Sequence, residues 1–140
     1  MRALLVEDDS SVRAFISGLL RPMGMSVVEV STIQDALEKL DTDLVLLDIQ
    51  LPNGNGYRVL QTLRSERDDI PVIVVSSFEE WRERCLVEPL TYWLEKPFSS
   101  DELKRAVAKA IDTAKNLRTI RKGTDVLGKF IERQQQKEDA

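Results

Sequence analysis

Short apolar runs alternate with amphipathic stretches along this chain, and that alternation restricts its fold more than any other feature. Residues 3–7 (ALLVE), 25–31 (MSVVEVS), 43–48 (DLVLLD), 68–77 (DDIPVIVVSS) and 90–95 (LTYWLE) read as strands. Residues 10–24, 32–40, 55–66, 78–86 and 99–117 read as helices. In the first helix Val12, Phe15, Ile16, Leu19 and Leu20 share one face at helical spacing, and in the second Ile33, Ala36, Leu37 and Leu40 do. Ser10 or Asp9 caps the first helix, Pro22 and Gly24 mark its exit, and Ser99 with Glu102 opens the last as a capping box. The third and fourth strands are apolar on both faces, which a parallel sheet covered on both sides requires. Right-handed crossovers then predict an α/β fold with an open, doubly wound, five-stranded parallel sheet.

The rest of the composition mainly excludes. A chain of 140 residues has room for one domain with a core of its own. It contains no histidine, so histidine bases, histidine-activated nucleophiles and histidine metal sites are ruled out. The single cysteine, Cys85, has no intrachain disulfide partner, which fits a reducing, cytoplasmic location. No apolar run reaches membrane-spanning length, and residues 1–9 are too short and too acidic for a signal peptide. The net charge of −4 is uneven: residues 115–140 carry +3 and the remainder −7. An acidic body argues against nonspecific nucleic-acid binding.

In an open α/β sheet the working crevice lies at the carboxyl ends of the strands. There this sequence places Glu7, Asp8 and Asp9 after the first strand and Asp48 after the third. Ser76 and Ser77 end the fourth, and Lys96 and Pro97 follow the fifth. Taken singly, each has an ordinary reading as a helix cap, a loop acid, a satisfied hydroxyl or a surface charge. Four strands ending in these types on one edge make a chemical set. Two carboxylates about 5 Å apart repel by roughly 3 kcal/mol at an effective dielectric of ~20. Glu7, Asp8 and Asp48 therefore call for cations: Lys96 supplies one charge and a divalent ion two more. The ligands are hard oxygens, so Mg²⁺ is the natural ion, with Mn²⁺ as the alternative. A carboxylate nucleophile beside a metal, an ammonium and a hydroxyl is equipment for holding a phosphoryl group.

Four stretches, LLVEDD, LLDIQLPNGNG, VIVVSS and LEKPF, occur in this order and spacing. On them about residues 1–115 resemble the receiver domain of two-component response regulators, which implies a flavodoxin-like (βα)5 fold, with the domain expected over residues 1–117. Residues 118–140 are expected to be a helical or disordered extension interrupted at Gly123. The resemblance implies that Asp48 is the phospho-acceptor and that Asp8 binds Mg²⁺ directly, with Glu7 acting through water. The Gln50 backbone carbonyl would complete the protein ligands. Ser76 would be the switch hydroxyl and Trp93 the switch aromatic, Lys96 would pair with the phosphoryl group, and the Lys96–Pro97 bond would be cis. The implied partner is a sensor histidine kinase or a histidine phosphotransfer protein. A homodimer would use the fourth helix, fifth strand and fifth helix, or the tail.

This sequence departs from the family in two places. The segment from Ser76 to Lys96 is about two residues short, and VEPLTYW replaces the usual small-residue approach to the fifth strand. Phe78, two residues after Ser76, is bulky enough to shield an acyl phosphate from water. Haloacid dehalogenase-type phosphatases also use a strand-end Asp, but they need a second Asp two residues on, where this chain has Gln50. The expectation is a switch that catalyses only its own phosphorylation and slow dephosphorylation, not an enzyme. The alternatives are a receiver-shaped adaptor that is never phosphorylated, or the N-terminal part of a DNA-binding regulator. Residues 118–140 are too few to form a DNA-binding domain themselves.

Overall fold

The computed structural model describes residues 1–139, with side-chain surroundings through residue 138. The strands are β1 (Arg2–Val6), β2 (Ser26–Val30), β3 (Leu44–Leu47), β4 (Val72–Ser76) and β5 (Thr91–Glu95). The helices are α1 (Ser10–Leu20), α2 (Ile33–Leu37), α3 (Tyr57–Glu66), α4 (Arg82–Leu86) and α5 (Ser100–Asp139). All five strands are parallel, in the order β2-β1-β3-β4-β5. The chain steps from β1 to one side and then returns to the other, so the topological switch point lies between β1 and β3.

Alternation along each strand sorts the core into two layers. Leu4, Val6, Val45, Leu47, Val72 and Val74 pack with α2, α3 and α4 through Ile33, Leu60 and Cys85. Their neighbours Ala3, Leu5, Leu44, Leu46, Ile73 and Val75 pack with α1 and α5 through Ile16, Leu20, Leu103 and Val107. β3 and β4 are buried at every position, as their two-sided apolar sequence requires. The edge strand β2 is largely exposed.

Several local expectations change. α2 closes after Leu37, so Leu40 packs from beyond the helix. Asp9, not Ser10, caps α1, accepting from the backbone N–H groups of Ser11 and Val12. Phe15 does not join the core: it is 45% exposed and lies 6.0 Å from the Phe98 ring. The loop after β3 contains a two-residue antiparallel pair, Gln50–Leu51 with Gly54–Asn55. The shortened segment after Ser76 is accommodated by a 3-10 turn (Glu79–Trp81) leading into a five-residue α4. Leu90 enters β5 with a left-handed φ of 49°, and Arg64 donates to its carbonyl at 3.2 Å.

α5 shows the largest difference. Gly123 does not interrupt it, and one 40-residue helix runs from Ser100 to Asp139. Ser99 and Glu102 form the expected reciprocal cap, with bonds of 3.1 and 3.3 Å. Beyond the body, Arg118 and Arg121 pair with Asp69 and Asp68 of the loop after α3. From Ile120 through Glu138 every residue is exposed.

Candidate functional site

The carboxyl ends of β1, β3 and β5 converge on a cleft of about 500 Å³ lined by Glu7, Asp8, Asp9, Asp48, Gln50 and Lys96, among others. Asp48 enters it directly after the fully buried β3, and its own backbone N–H donates to the Val6 carbonyl at 2.9 Å. One oxygen, Oδ1, accepts from the Gln50 backbone N–H at 3.0 Å. The other, Oδ2, accepts from Lys96 Nζ at 3.1 Å. The same ammonium donates to Glu7 Oε1 at 2.7 Å. Lys96 thus answers the question that a buried acid at a strand end raises: it bridges two carboxylates that would otherwise repel.

One cation is not enough. Glu7 is almost wholly buried, and its Oε2 has no hydrogen-bond partner among the described residues. Burial and the adjacent Asp48 carboxyl push the Glu7 pKa from its ordinary 4.5 up to about 8, against the pull of Lys96. Burial alone would lower the Lys96 pKa, but its bond to Glu7 and the Asp48 charge outweigh that and leave it raised. Asp8, by contrast, is exposed at the cleft mouth. Oxygens of Glu7, Asp8 and Asp48 come within 4.8 Å of one another, a span that one hard cation can bridge. The orphaned Glu7 oxygen and the all-oxygen donor set fit a divalent ion of the Mg²⁺ type. Gln50 lines the same cleft.

Two supports escaped sequence reading. Arg13 donates from one guanidinium nitrogen to the Glu7 carbonyl at 2.8 Å and to the Asp8 carbonyl at 3.4 Å, strapping the acidic turn to α1. Its position four residues past the α1 cap was the only available signal. Gly56 lies so close to the Asp48 carbonyl that a Cβ there would overlap it, while its N–H donates to Ile49 at 2.6 Å. The NGNG run signalled a turn but not this close approach.

Ser76 ends β4 in the same layer as Val74 and is buried, and its Oγ accepts from the Phe78 N–H at 3.0 Å. Phe78 is half-buried and lines a small hollow with Gln50 and Trp81. Trp93 pairs in register with Val74, packs on the α3–α4 side and holds a buried indole N–H without a partner among the described residues. The Lys96–Pro97 bond is cis. Beside the acids, Val12, Phe15, Pro97 and Phe98 line an apolar hollow of about 440 Å³. Cys85 is buried, and burial with the nearby Glu88 charge pushes its thiol up to about 11, so it is not a poised nucleophile.

Comparison with known proteins gives a consistent picture. The family model described as the response regulator receiver domain matches residues 3–108. The cell cycle response regulator CtrA of Brucella ovis is 35% identical over 108 residues, covering 74% of this chain. That alignment takes in 47% of CtrA, so the chain spans about half the length of the curated relatives it matches. The receiver domain of sensor histidine kinase PA1611 from Pseudomonas aeruginosa PAO1, solved with magnesium in its active-site cleft, is 29% identical with a TM-score of 0.70. It covers 79% of this chain and 97% of its own. A CheY-like receiver protein from Methanospirillum hungatei JF-1 shares the fold, with a TM-score of 0.76 at 23% identity over 82% of this chain and 96% of its own.

Proposed function

This chain belongs to the response regulator receiver domain family, the phosphorylation-dependent switches of two-component systems, and on that premise we propose that Asp48 is its phospho-acceptor. The observation that carries the assignment is the Asp48 carboxylate held between the Gln50 N–H and the Lys96 ammonium, at the mouth of an acidic cleft with an unsatisfied Glu7 oxygen. The phosphoryl donor is the phosphohistidine of a sensor kinase or phosphotransfer protein, as membership of the receiver family supports. An Asp48 oxygen forms the new bond to phosphorus as the phosphorus–nitrogen bond of the donor breaks, and the imidazole leaves with the electron pair.

Glu7, Asp8, Asp48 and the Gln50 carbonyl are the residues that would hold Mg²⁺, or Mn²⁺ in its place. The bound ion supplies positive charge to the phosphoryl oxygens. Lys96 releases its bond to Asp48 and turns to the phosphoryl group. The Ser76 hydroxyl gives up its bond from Phe78 and donates to a phosphoryl oxygen. Trp93, on the same face of the sheet, then repacks and passes the change to the surface around α4, β5 and α5. Phe78 limits water access to the acyl phosphate. The apolar hollow of Val12, Phe15, Pro97 and Phe98 gives the donor protein a foothold beside the acceptor. Output passes by protein contact or through a further domain.

Intact-mass measurement after incubation with acetyl phosphate tests the reading. The expected result is one phosphoryl addition that requires Mg²⁺ and is lost in Asp48→Ala. No addition to folded protein, or an addition that survives the substitution, overturns it.

A further inference from the structure

Residues 118–139 continue α5 for about 33 Å past the body, as an unbroken helix whose sides face solvent from Ile120 through Glu138. Ile120, Val126, Leu127, Phe130 and Ile131 are each more than half exposed on it. The arm also carries Gly123 and Gly128, where an added Cβ would meet nothing. Each glycine costs about 1 kcal/mol of helix stability relative to alanine. A stretch of this length with two such residues is marginal unless an amphipathic face is packed. Its sequence therefore calls for a covering surface.

The body does not provide that surface. The side of α5 that faces the core carries Leu103, Val107, Ala110 and Ala114. Continued along the helix at about 100° per residue, that side becomes Arg121, Gly128 and Gln135. Arg118 and Arg121 clamp it to Asp69 and Asp68. The arm's apolar stripe is centred about a quarter turn away from this side.

The spacing identifies what covers it. Leu117, Ile120, Thr124, Leu127, Ile131 and Gln134 follow one another at alternating steps of three and four, the seam of a left-handed coiled coil. Phe130 flanks the seam. Its two polar members decide the partner and direction. In a parallel pair of identical helices Thr124 meets Thr124 and Gln134 meets Gln134, so each finds a hydrogen-bonding equal. An antiparallel pair sets Thr124 against Leu127 and Gln134 against Leu117. The flanking pairs of the parallel arrangement, Asn116 with Arg121 and Phe130 with Gln135, bring no like charges together. At roughly 60–120 Å² per large apolar side chain, two copies joined along this seam bury on the order of 1,000 Å², where specific interfaces begin.

We propose that residues 117–134 form a parallel two-stranded coiled coil with the same residues of a second copy of this chain. The pairing does not depend on the phosphoryl chemistry, and its test is separable from that reading. Sedimentation velocity of the full chain is run from about 1 to 300 µM, beside Leu127→Asp/Ile131→Asp. The substituted side chains are exposed in the monomer, so the variant keeps its body, and an unchanged near-ultraviolet circular dichroism spectrum from the body's Trp81 and Trp93 checks this. The expected result is a dimer in the parent and at least a ~100-fold weaker association in the variant, two seam layers being lost. Gln134→Cys is expected to link the two chains on mild oxidation. A parent that stays monomeric throughout overturns the proposal, as does a dimer that ignores the two aspartates. A dimer in which Gln134→Cys does not link but a mixture of Gln134→Cys and Leu117→Cys does overturns the parallel order.

Discussion

Lys96 holds Glu7 and Asp48 together, yet Glu7 still binds a proton up to about pH 8 because burial disfavours its charge. The sign of the linkage follows. A carboxyl whose folded pKa is raised stabilises the fold fully below its unfolded value of about 4.5 and loses that contribution as pH rises through about 8. With Glu7 among the residues proposed to hold Mg²⁺, directly or through water, ion binding is expected to displace that proton. Mg²⁺ affinity is therefore expected to rise with pH up to about 8 and to level off above it, with nearly one proton released per ion at neutral pH. Calorimetric titration in two buffers of different ionisation enthalpy counts that proton, and pH-independent binding without release would show Glu7 already ionised. Gly56 makes a second prediction at this scale. Since a Cβ there overlaps the Asp48 carbonyl, Gly56→Ala must move Asp48 or the start of α3. It is expected to lower stability by about 1–3 kcal/mol and to slow phosphorylation by acetyl phosphate, measured by urea unfolding and by mass.

At the scale of elements, caps and switch points matter more than length. α2 and α4 have five residues each, yet α2 buries Ile33 and Ala36 and α4 buries Cys85. α5 has 40 residues, and its apolar contacts with the core come from its first half. Its start is fixed by the Ser99–Glu102 reciprocal bonds. Ser99→Ala removes one of them and is expected to cost about 1 kcal/mol, seen as a lower urea midpoint at unchanged slope. No change would mean that Asp101 and Glu102 in the first turn hold the helix end without the hydroxyl. The Arg121–Asp68 ion pair is about half exposed, and Arg121→Ala is expected to shift stability by less.

For the whole molecule, the switch must couple the cleft to a distant face. Ser76 and Trp93 lie on one side of adjacent strands β4 and β5, and the Trp93 indole N–H is buried without a partner among the described residues. With Trp81→Phe removing the other indole, Trp93 fluorescence is expected to change on phosphorylation of the parent. The change is expected to be lost, or reduced severalfold, in Ser76→Ala although Asp48 is still modified. Full retention of the change in Ser76→Ala would place the coupling elsewhere.

The sequence by itself determined the sheet and the identity of the charged cluster. Apolar runs bounded by acids, hydroxyls and an amine can be read without coordinates because a parallel strand delivers whatever follows it to one edge. It also carried the capping box at Ser99, since that motif is local. What only the tertiary structure decided depends on distances between residues far apart in the chain. Arg13 acts on the carbonyls of Glu7 and Asp8, Gly56 is required by the Asp48 backbone, and Phe15 meets Phe98 at the surface instead of the core. Gly123 reads as a break from its weak propensity, yet the helix nucleated and packed from Ser100 to Leu117 runs through it. Propensity is a local preference of about 1 kcal/mol, which the core contacts of the first half of α5 and the covered seam proposed for its second half together outweigh.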